Sequence, residues 1–308
     1  MKPARDAILW AARNRWLSEH LPRYRFVRAS VRRFMPGERI EEALAAAERL
    51  AADGIPVTFT YLGEDVRRPA DADEVAEHYR ELLDRIEERG LDAEVSAKPS
   101  HLGRALGPDA TFERMLGLAE RSAARGRHLF VDMEDSPTVE PTLELYRRLL
   151  EASPNVGVCL QAYLHRTNVD VVDVAKRGGS IRLVKGAYRE PRDVALQHRD
   201  EIGRAFADQA VAFLEAAGGG RLALGTHDLD LIREIERRAG AAGSGRDAFE
   251  IQMLYGIRAA DQRRLAREGY RVRVLISYGT HWYPWFMRRL AEHPANVWLA
   301  LRNLVARG

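Results

Sequence analysis

Of 308 residues, 46% are hydrophobic and 30% charged, enough to bury a sizeable core and to exclude a disordered or fibrous chain, in one large domain or two small ones. Lys and Arg number 48 against 45 Asp and Glu, a formal net charge of +3 that is too balanced for a dedicated nucleic-acid binder. The single cysteine, Cys159, excludes an intrachain disulfide framework and any multi-cysteine metal or cluster site, and it suits a reducing compartment as a small buried residue.

The chain opens with an apolar run too short and too interrupted by Arg for a signal peptide, and no apolar stretch of about 18 residues occurs anywhere, which reads as a cytoplasmic protein. Residues 1–40 read as a helical segment outside the repeating part of the chain. Its Trp10, Trp16, Leu17 and Arg-rich face suit a cap on a barrel better than a contact with a membrane surface. From residue 41 onward, strand-like runs and amphipathic stretches alternate. In chain order they are a helix at Glu41–Leu50, a strand at Ile55–Tyr61, a helix at Asp73–Arg89, then strands at Ala93–Lys98 and His128–Met133. A helix at Thr142–Leu150 follows, then strands at Val156–Gln161 and Ile181–Lys185, and a helix at Val194–Leu214. Last come Leu222–Gly225 (strand), Leu229–Arg238 (helix), Phe249–Met253 (strand), Ala260–Arg267 (helix) and Val272–Ile276 (strand).

Eight strands alternating with helices over roughly 250 residues match a closed α/β (β/α)8 TIM-type barrel, residues 41–308, carrying the extra N-terminal segment. No G-x-G-x-x-G follows the first strand, which argues against a Rossmann domain. Active sites of such barrels lie at the carboxyl ends of the strands, and the residues there are polar. They include Glu64, Lys98, Asp132 and Glu134, Gln161, Lys185 with Tyr188, Thr226 and His227, and His281. Only four of the 48 basic residues are lysines, so Lys98 and Lys185 stand out. Arg182 lies inside a strand, where an unpaired charge is expensive, and the acidic residues of the third strand are candidate partners across the interior. After the eighth strand, Trp282–Arg289 reads as a short aromatic helix ending in Arg288 and Arg289. That pair is suited to clamp a carboxylate at about 1.5–3 kcal/mol per charge-assisted hydrogen bond. A nucleophile elbow, a P-loop and metal-ligand spacing are all missing from the sequence.

From about Tyr61 to Leu304 the chain resembles the proline dehydrogenase family, flavin-dependent barrels that oxidise proline to pyrroline-5-carboxylate. The resemblance rests on the stretches 182–188 (RLVKGAY), 249–258 (FEIQMLYGIR) and the Arg288-Arg289 helix, supported by Leu62-Gly63-Glu64, Asp132-Met133-Glu134, Gln161-Ala162-Tyr163 and Thr226-His227. It implies that Lys98, Arg288 and Arg289 bind the substrate carboxylate, with Glu64 pairing with one arginine to close the site. It further implies that Met133, Gln161, Arg182, Lys185, Gly186, Ala187, Thr226, His227 and Gln252 hold FAD, and that Asp132, Glu134, Arg182 and Tyr188 shape the catalytic side. Electrons would pass to a quinone through peripheral contact at the inner face of the membrane, and a pyrroline-5-carboxylate dehydrogenase is an implied partner.

Two positions depart from the family pattern: Leu275 and Trp285 stand where tyrosines are usual, on the substrate's ring side. The retained cations make the acid end of the substrate the better defined, since an altered apolar wall changes discrimination by only about 1–3 kcal/mol per methylene. Hydroxyproline or another cyclic imino acid therefore stays open as substrate. Two further alternatives are a flavin-free barrel using Lys185 or Lys98 as a Schiff-base amine and a degenerate barrel that binds ligand without turnover.

Overall fold

The computed structural model describes residues 30–216 and 218–292, together with residues 8, 10, 11, 14–21, 24 and 27. Eight parallel strands close into one barrel in sequence order: β1 (Val57–Tyr61), β2 (Ala93–Ala97), β3 (Leu129–Val131), β4 (Val156–Gln161), β5 (Ser180–Val184), β6 (Leu222–Gly225), β7 (Phe249–Leu254) and β8 (Val272–Tyr278). The β1–β8 seam, from Val57 opposite Val274 to Tyr61 opposite Tyr278, completes the ring.

Alternation along each strand explains the barrel. Val57, Phe59, Val95, Leu129, Val158, Leu183, Leu224, Ile251, Val274 and Ile276 are buried and apolar, and belong to the core that the helices cover. The intervening residues face the lumen and are mostly polar: Thr58, Thr60, Glu94, Ser96, Arg182, Glu250, Gln252, Arg273 and Ser277. At the amino-terminal end this polar lining forms a salt-bridged floor. Arg221 grips Glu94 through two bonds of 2.5 and 2.7 Å, and Arg273 donates to Glu250 at 3.1 Å. Such a network is rigid when complete, and removing one partner leaves a buried charge uncompensated.

The helices are α1 (Arg15–His20), α2 (Ile40–Ala51), α3 (Pro69–Glu88), α4 (Pro108–Ala123), α5 (Val139–Ala152), α6 (Thr167–Lys176), α7 (Arg199–Glu215), α8 (Leu229–Ala241), α9 (Ala259–Arg267) and α10 (Trp282–Glu292). In α3, Pro69 occupies the first turn, where its missing N–H costs nothing, and Val75, Tyr79, Leu82, Leu83 and Ile86 form the buried stripe. Each fully buried aliphatic side chain there contributes about 1.5–3 kcal/mol. Gly90, at φ +60°, turns the chain into β2.

Two helices were not anticipated from the sequence. The buried stripe of α4 mixes Thr111, Met115, Leu118, Ala119 and Ser122, too polar to stand out. In α6 the run Val169-Asp170-Val171-Val172-Asp173-Val174 imitates strand alternation, whereas its buried residues Thr167, Asp170, Val171, Val174 and Ala175 follow helical spacing. Conversely, α7 begins at Arg199 and not at Val194: Val194 closes a turn and Ala195 forms an antiparallel bridge with Leu164, with His165 N–H donating to the Val194 carbonyl and Leu196 N–H to the Tyr163 carbonyl.

A second apolar cluster lies apart from the barrel core. Val31, Met35, Leu62, Trp282, Tyr283, Trp285 and Phe286 pack together, with Leu17, Leu21, Val27, Phe34, Met287 and Leu290 against them. The described part of the amino-terminal segment therefore packs on α10, while the rest of residues 1–29, like 293–308, lies outside the described residues. No described helix is long and apolar enough to cross a membrane.

Candidate active site

Strand adjacency brings the cationic residues together. β8, β1 and β2 are neighbours, so the α10 residue Arg288, the β1 extension Glu64 and the residue after β2, Lys98, converge at the barrel mouth despite their separation in sequence. Lys98 Nζ donates to Glu64 Oε1 at 2.5 Å, and Arg288 Nη2 donates to that same oxygen, with Nη1 3.4 Å from Oε2. Burial pushes the Glu64 carboxyl up, but the two cations outweigh it and hold the group down at about 2. A single carboxylate oxygen thus already sits between Lys98 and Arg288, so the two are close enough to share one small anion. The Arg288 guanidinium also lies 5.6 Å from the centroid of the Tyr188 ring, and burial pushes the Tyr188 phenol upward.

Local backbone fixes Glu64. Gly63 admits the ring of His101, for a Cβ on Gly63 would lie 2.0 Å from Nε2, and Asp65 adopts φ +56°, a left-handed conformation that Asp tolerates better than most residues. His101 stacks on Tyr61 with centroids 5.2 Å apart, and burial together with Lys98 lowers its imidazole to about 3, so it stays neutral. Arg289 follows Arg288 on α10 and is partly buried.

Deeper in the lumen, Arg182 is 3% exposed and reaches across the barrel. Its Nη2 donates to Asp132 Oδ1 and, at 2.8 Å, to Ser96 Oγ, which itself donates to Asp132 Oδ1 at 2.8 Å; the Phe130 ring lies 5.2 Å from the guanidinium. Glu134, expected to share a face with Asp132, goes elsewhere because β3 ends at Val131 and the chain leaves the pleat. It accepts from Ser100 Oγ at 2.5 Å, Ser100 N–H at 3.1 Å and Arg104 Nη1 at 2.9 Å, and burial raises its carboxyl in spite of these partners. Gln161 is anchored through Nε2 to the Glu134 carbonyl at 2.8 Å.

Along the β5–β7 side, Lys185 Nζ meets Asp228 Oδ2 at 2.8 Å, and Asp228 Oδ1 also caps α8 by accepting from Leu231 N–H. Gly186 takes φ +113° against the Tyr163 ring, which a Cβ would approach to 2.3 Å, and Ala187 continues this partly buried turn. The buried Thr226 hydroxyl accepts from Asp228 N–H at 3.2 Å. His227 Nε2 accepts from Leu254 N–H at 2.9 Å, leaving the proton of a neutral ring on Nδ1. Gln252 Nε2 donates to Glu250 Oε1 at 2.8 Å, while Met133 is buried in the core.

Of the two departing positions, Leu275 faces the lumen and is partly exposed, so it lines the mouth. Trp285 is instead buried among Val31, Met35 and Leu62 in the second cluster. Both lysines proposed as Schiff-base amines end in ion pairs, so neither is presented as a nucleophile. Ser96, Ser100 and Arg104 were not singled out in the sequence. Ser96 carried a legible signal, being two residues before Lys98 and on the inward face of β2; Ser100 lies in a turn and Arg104 in a short 3-10 helix beyond the strand end, where strand periodicity no longer applies.

A closed (β/α)8 barrel with its charged residues gathered at the carboxyl ends of the strands has the architecture of the barrel enzymes. The proline dehydrogenase profile matches residues 43–298, and the chain belongs to the proline dehydrogenase family. It is 34% identical over 301 residues to proline dehydrogenase 1 of Bacillus subtilis subsp. natto, covering 98% of this chain and 99% of that one. It is 36% identical over 278 residues to the proline dehydrogenase of Deinococcus radiodurans, covering 89% of each. The fold is also that of proline utilization A from Bdellovibrio bacteriovorus, solved after inactivation by N-propargylglycine: TM-score 0.80, 22% identity, 94% of this chain but 36% of that longer one.

Proposed function

We propose that this protein oxidises L-proline to 1-pyrroline-5-carboxylate with FAD as its cofactor and passes the electrons to a quinone. The observation that carries the reading is the convergence of Lys98 and Arg288 on one carboxylate oxygen, within a family whose similar members are named proline dehydrogenases. The residues present suit the flavin. Among the described residues, Arg182 Nη1 and Gln252 Oε1 are buried, inward-facing and without a hydrogen-bond partner, one a donor and the other an acceptor, as a heteroaromatic ring rich in both would require. Arg182, Gln252, Gln161, Met133, Thr226, His227 and the 185–187 turn would hold it; when bound, FAD supplies a two-electron acceptor.

The chain's own residues then do three things. Lys98, Arg288 and Arg289 take the substrate carboxylate, with Glu64 either sharing or yielding its place between them. Arg182, its charge supported by Asp132 and its guanidinium held in place by Ser96, places fixed positive charge where negative charge develops, at no reorganisation cost during the reaction. Tyr188, Leu275 and the half-buried Val184 wall the ring side and limit water, and Glu134 holds the Ser100–Arg104 loop beneath Lys98. The substrate loses two electrons and two protons overall, and its ring C–N bond becomes C=N. We further propose a cytoplasmic protein with peripheral contact at the inner face of the membrane, its product passing to a pyrroline-5-carboxylate dehydrogenase.

Turnover of L-proline, trans-4-hydroxy-L-proline and L-pipecolate with a soluble electron acceptor, with mass spectrometry of the products, tests the substrate. A product two hydrogens lighter than proline, formed fastest from proline, is expected. Faster turnover of either analogue would overturn the choice of proline, and no turnover of any of the three would overturn the activity.

A further inference from the structure

We propose that Glu190 is a positioning residue: its carboxylate fastens the β5–α7 loop to the β3–α5 loop and so holds the Tyr188 ring beside Arg288. Glu190 Oε1 accepts from Ser136 N–H at 2.8 Å and Oε2 from Ser136 Oγ at 2.5 Å. Ser136 opens a short 3-10 turn, residues 136–138, that runs directly into α5, so its N–H has no acceptor within the helix. A carboxylate is the strongest group to supply one, because both bonds are charge-assisted. Gln197 Nε2 donates to the Glu190 carbonyl at 3.2 Å and steadies the same residue from the far side of the loop.

The position of this clasp along the loop gives it its role. Upstream, Lys185 pairs with Asp228 and Gly186 lies against the Tyr163 ring. Downstream, the Pro191 carbonyl accepts from the Val194 and Ala195 N–H groups, Ala195 bridges Leu164, and the Arg192 carbonyl lies 3.0 Å from His165 Nε2. Residues 187–190 span these anchors, and Tyr188 stands within the span, its ring centroid 5.6 Å from the Arg288 guanidinium. Holding such a span in one conformation costs backbone entropy, and the two bonds to Ser136 offset that cost two residues from Tyr188. What Tyr188 does there rests on the function proposed above: the ring keeps water from Arg288, so that the hydrogen bonds of the clamp stay strong for an arriving carboxylate. The clasp itself rests on its own bonds.

The test compares the full FAD-loaded chain with Glu190→Ala and with Ser136→Ala, which removes one bond of the clasp and keeps the other. Native-state trypsin digestion, followed by mass spectrometry, reads cleavage after Arg189 and Arg192 against cleavage after Arg246, an exposed site far along the chain. Glu190→Ala should speed cleavage after Arg189 or Arg192 roughly tenfold or more, and Ser136→Ala should do so by a smaller factor, with Arg246 unchanged. FAD content should hold, while the KM for proline rises roughly threefold or more and kcat changes less. In a Tyr188→Ala background, Glu190→Ala should alter that KM by less than about twofold, since the residue through which it acts is gone. Cleavage of the loop at the wild-type rate in Glu190→Ala would overturn the clasp. An equal KM rise with and without Tyr188, or loss of FAD from Glu190→Ala, would overturn the positioning role. A wild type that does not oxidise proline would count against the proposed function alone, because the trypsin comparison reads the clasp without substrate.

Discussion

Replacing Lys98 by Met removes one of the two cations on Glu64 Oε1 while keeping much of the lysine stem, which is largely buried at 11% side-chain exposure. Arg288 still neutralises Glu64, so the fold has no new unpaired charge to accommodate. The substrate carboxylate loses one charge-assisted hydrogen bond, about 1.5–3 kcal/mol, which corresponds to a rise in KM of roughly ten- to 150-fold. The assay compares proline with pyrrolidine, which has the ring but no carboxylate, using a soluble acceptor and measuring FAD content in parallel. Proline KM should climb, pyrrolidine turnover and FAD content should hold, and the preference for proline should shrink accordingly. A proline KM equal to that of the wild type, or an equal loss for pyrrolidine, would show that Lys98 does not bind the carboxylate.

Arg289→Ala should likewise raise proline KM with FAD retained; unchanged kinetics would remove Arg289 from the clamp. Asp132→Ala strands the Arg182 charge in the lumen and should cost about 3–5 kcal/mol in urea unfolding; a loss under about 1 kcal/mol would mean that water or another group compensates. The Glu64 carboxyl is held below its ordinary value, so its pairing stabilises the fold fully above about pH 4.5 and that contribution is lost as pH falls toward about 2. The stability gap between wild type and Glu64→Gln should therefore narrow on acidification through that window; a constant gap would contradict the ion pair. Gly186→Ala forces a Cβ against Tyr163 at φ +113° and should lower FAD retention along with stability by more than about 1 kcal/mol, measured by flavin release and thermal unfolding.

The architecture was legible because short apolar runs such as Leu129–Val131 and Leu222–Gly225 recur between amphipathic helices, with alternation as a second signal in β1 and β8, where Phe59 and Ile276 point outward and Thr60 and Ser277 inward. The meeting of Lys98 and Arg288 at Glu64 was legible for a related reason, since a barrel fixes where each strand end must lie, and both follow strands that adjoin β1. Glu134 and Trp285 were harder. Both lie beyond a strand end, where the pleat no longer dictates direction, and the Ser100–Arg104 loop and the amino-terminal segment that claim them come from distant sequence. The hidden helix α6 shows the converse failure, its valines imitating a strand until the buried positions are known.

Removal of two electrons from L-proline at the mouth of this barrel, through bound FAD, is tested most directly by anaerobic titration of the FAD-loaded protein with L-proline. Loss of the visible flavin absorption at stoichiometric proline, reversed by a quinone, is the predicted result. A protein that binds no FAD, or a flavin that dithionite bleaches and proline does not, would contradict it.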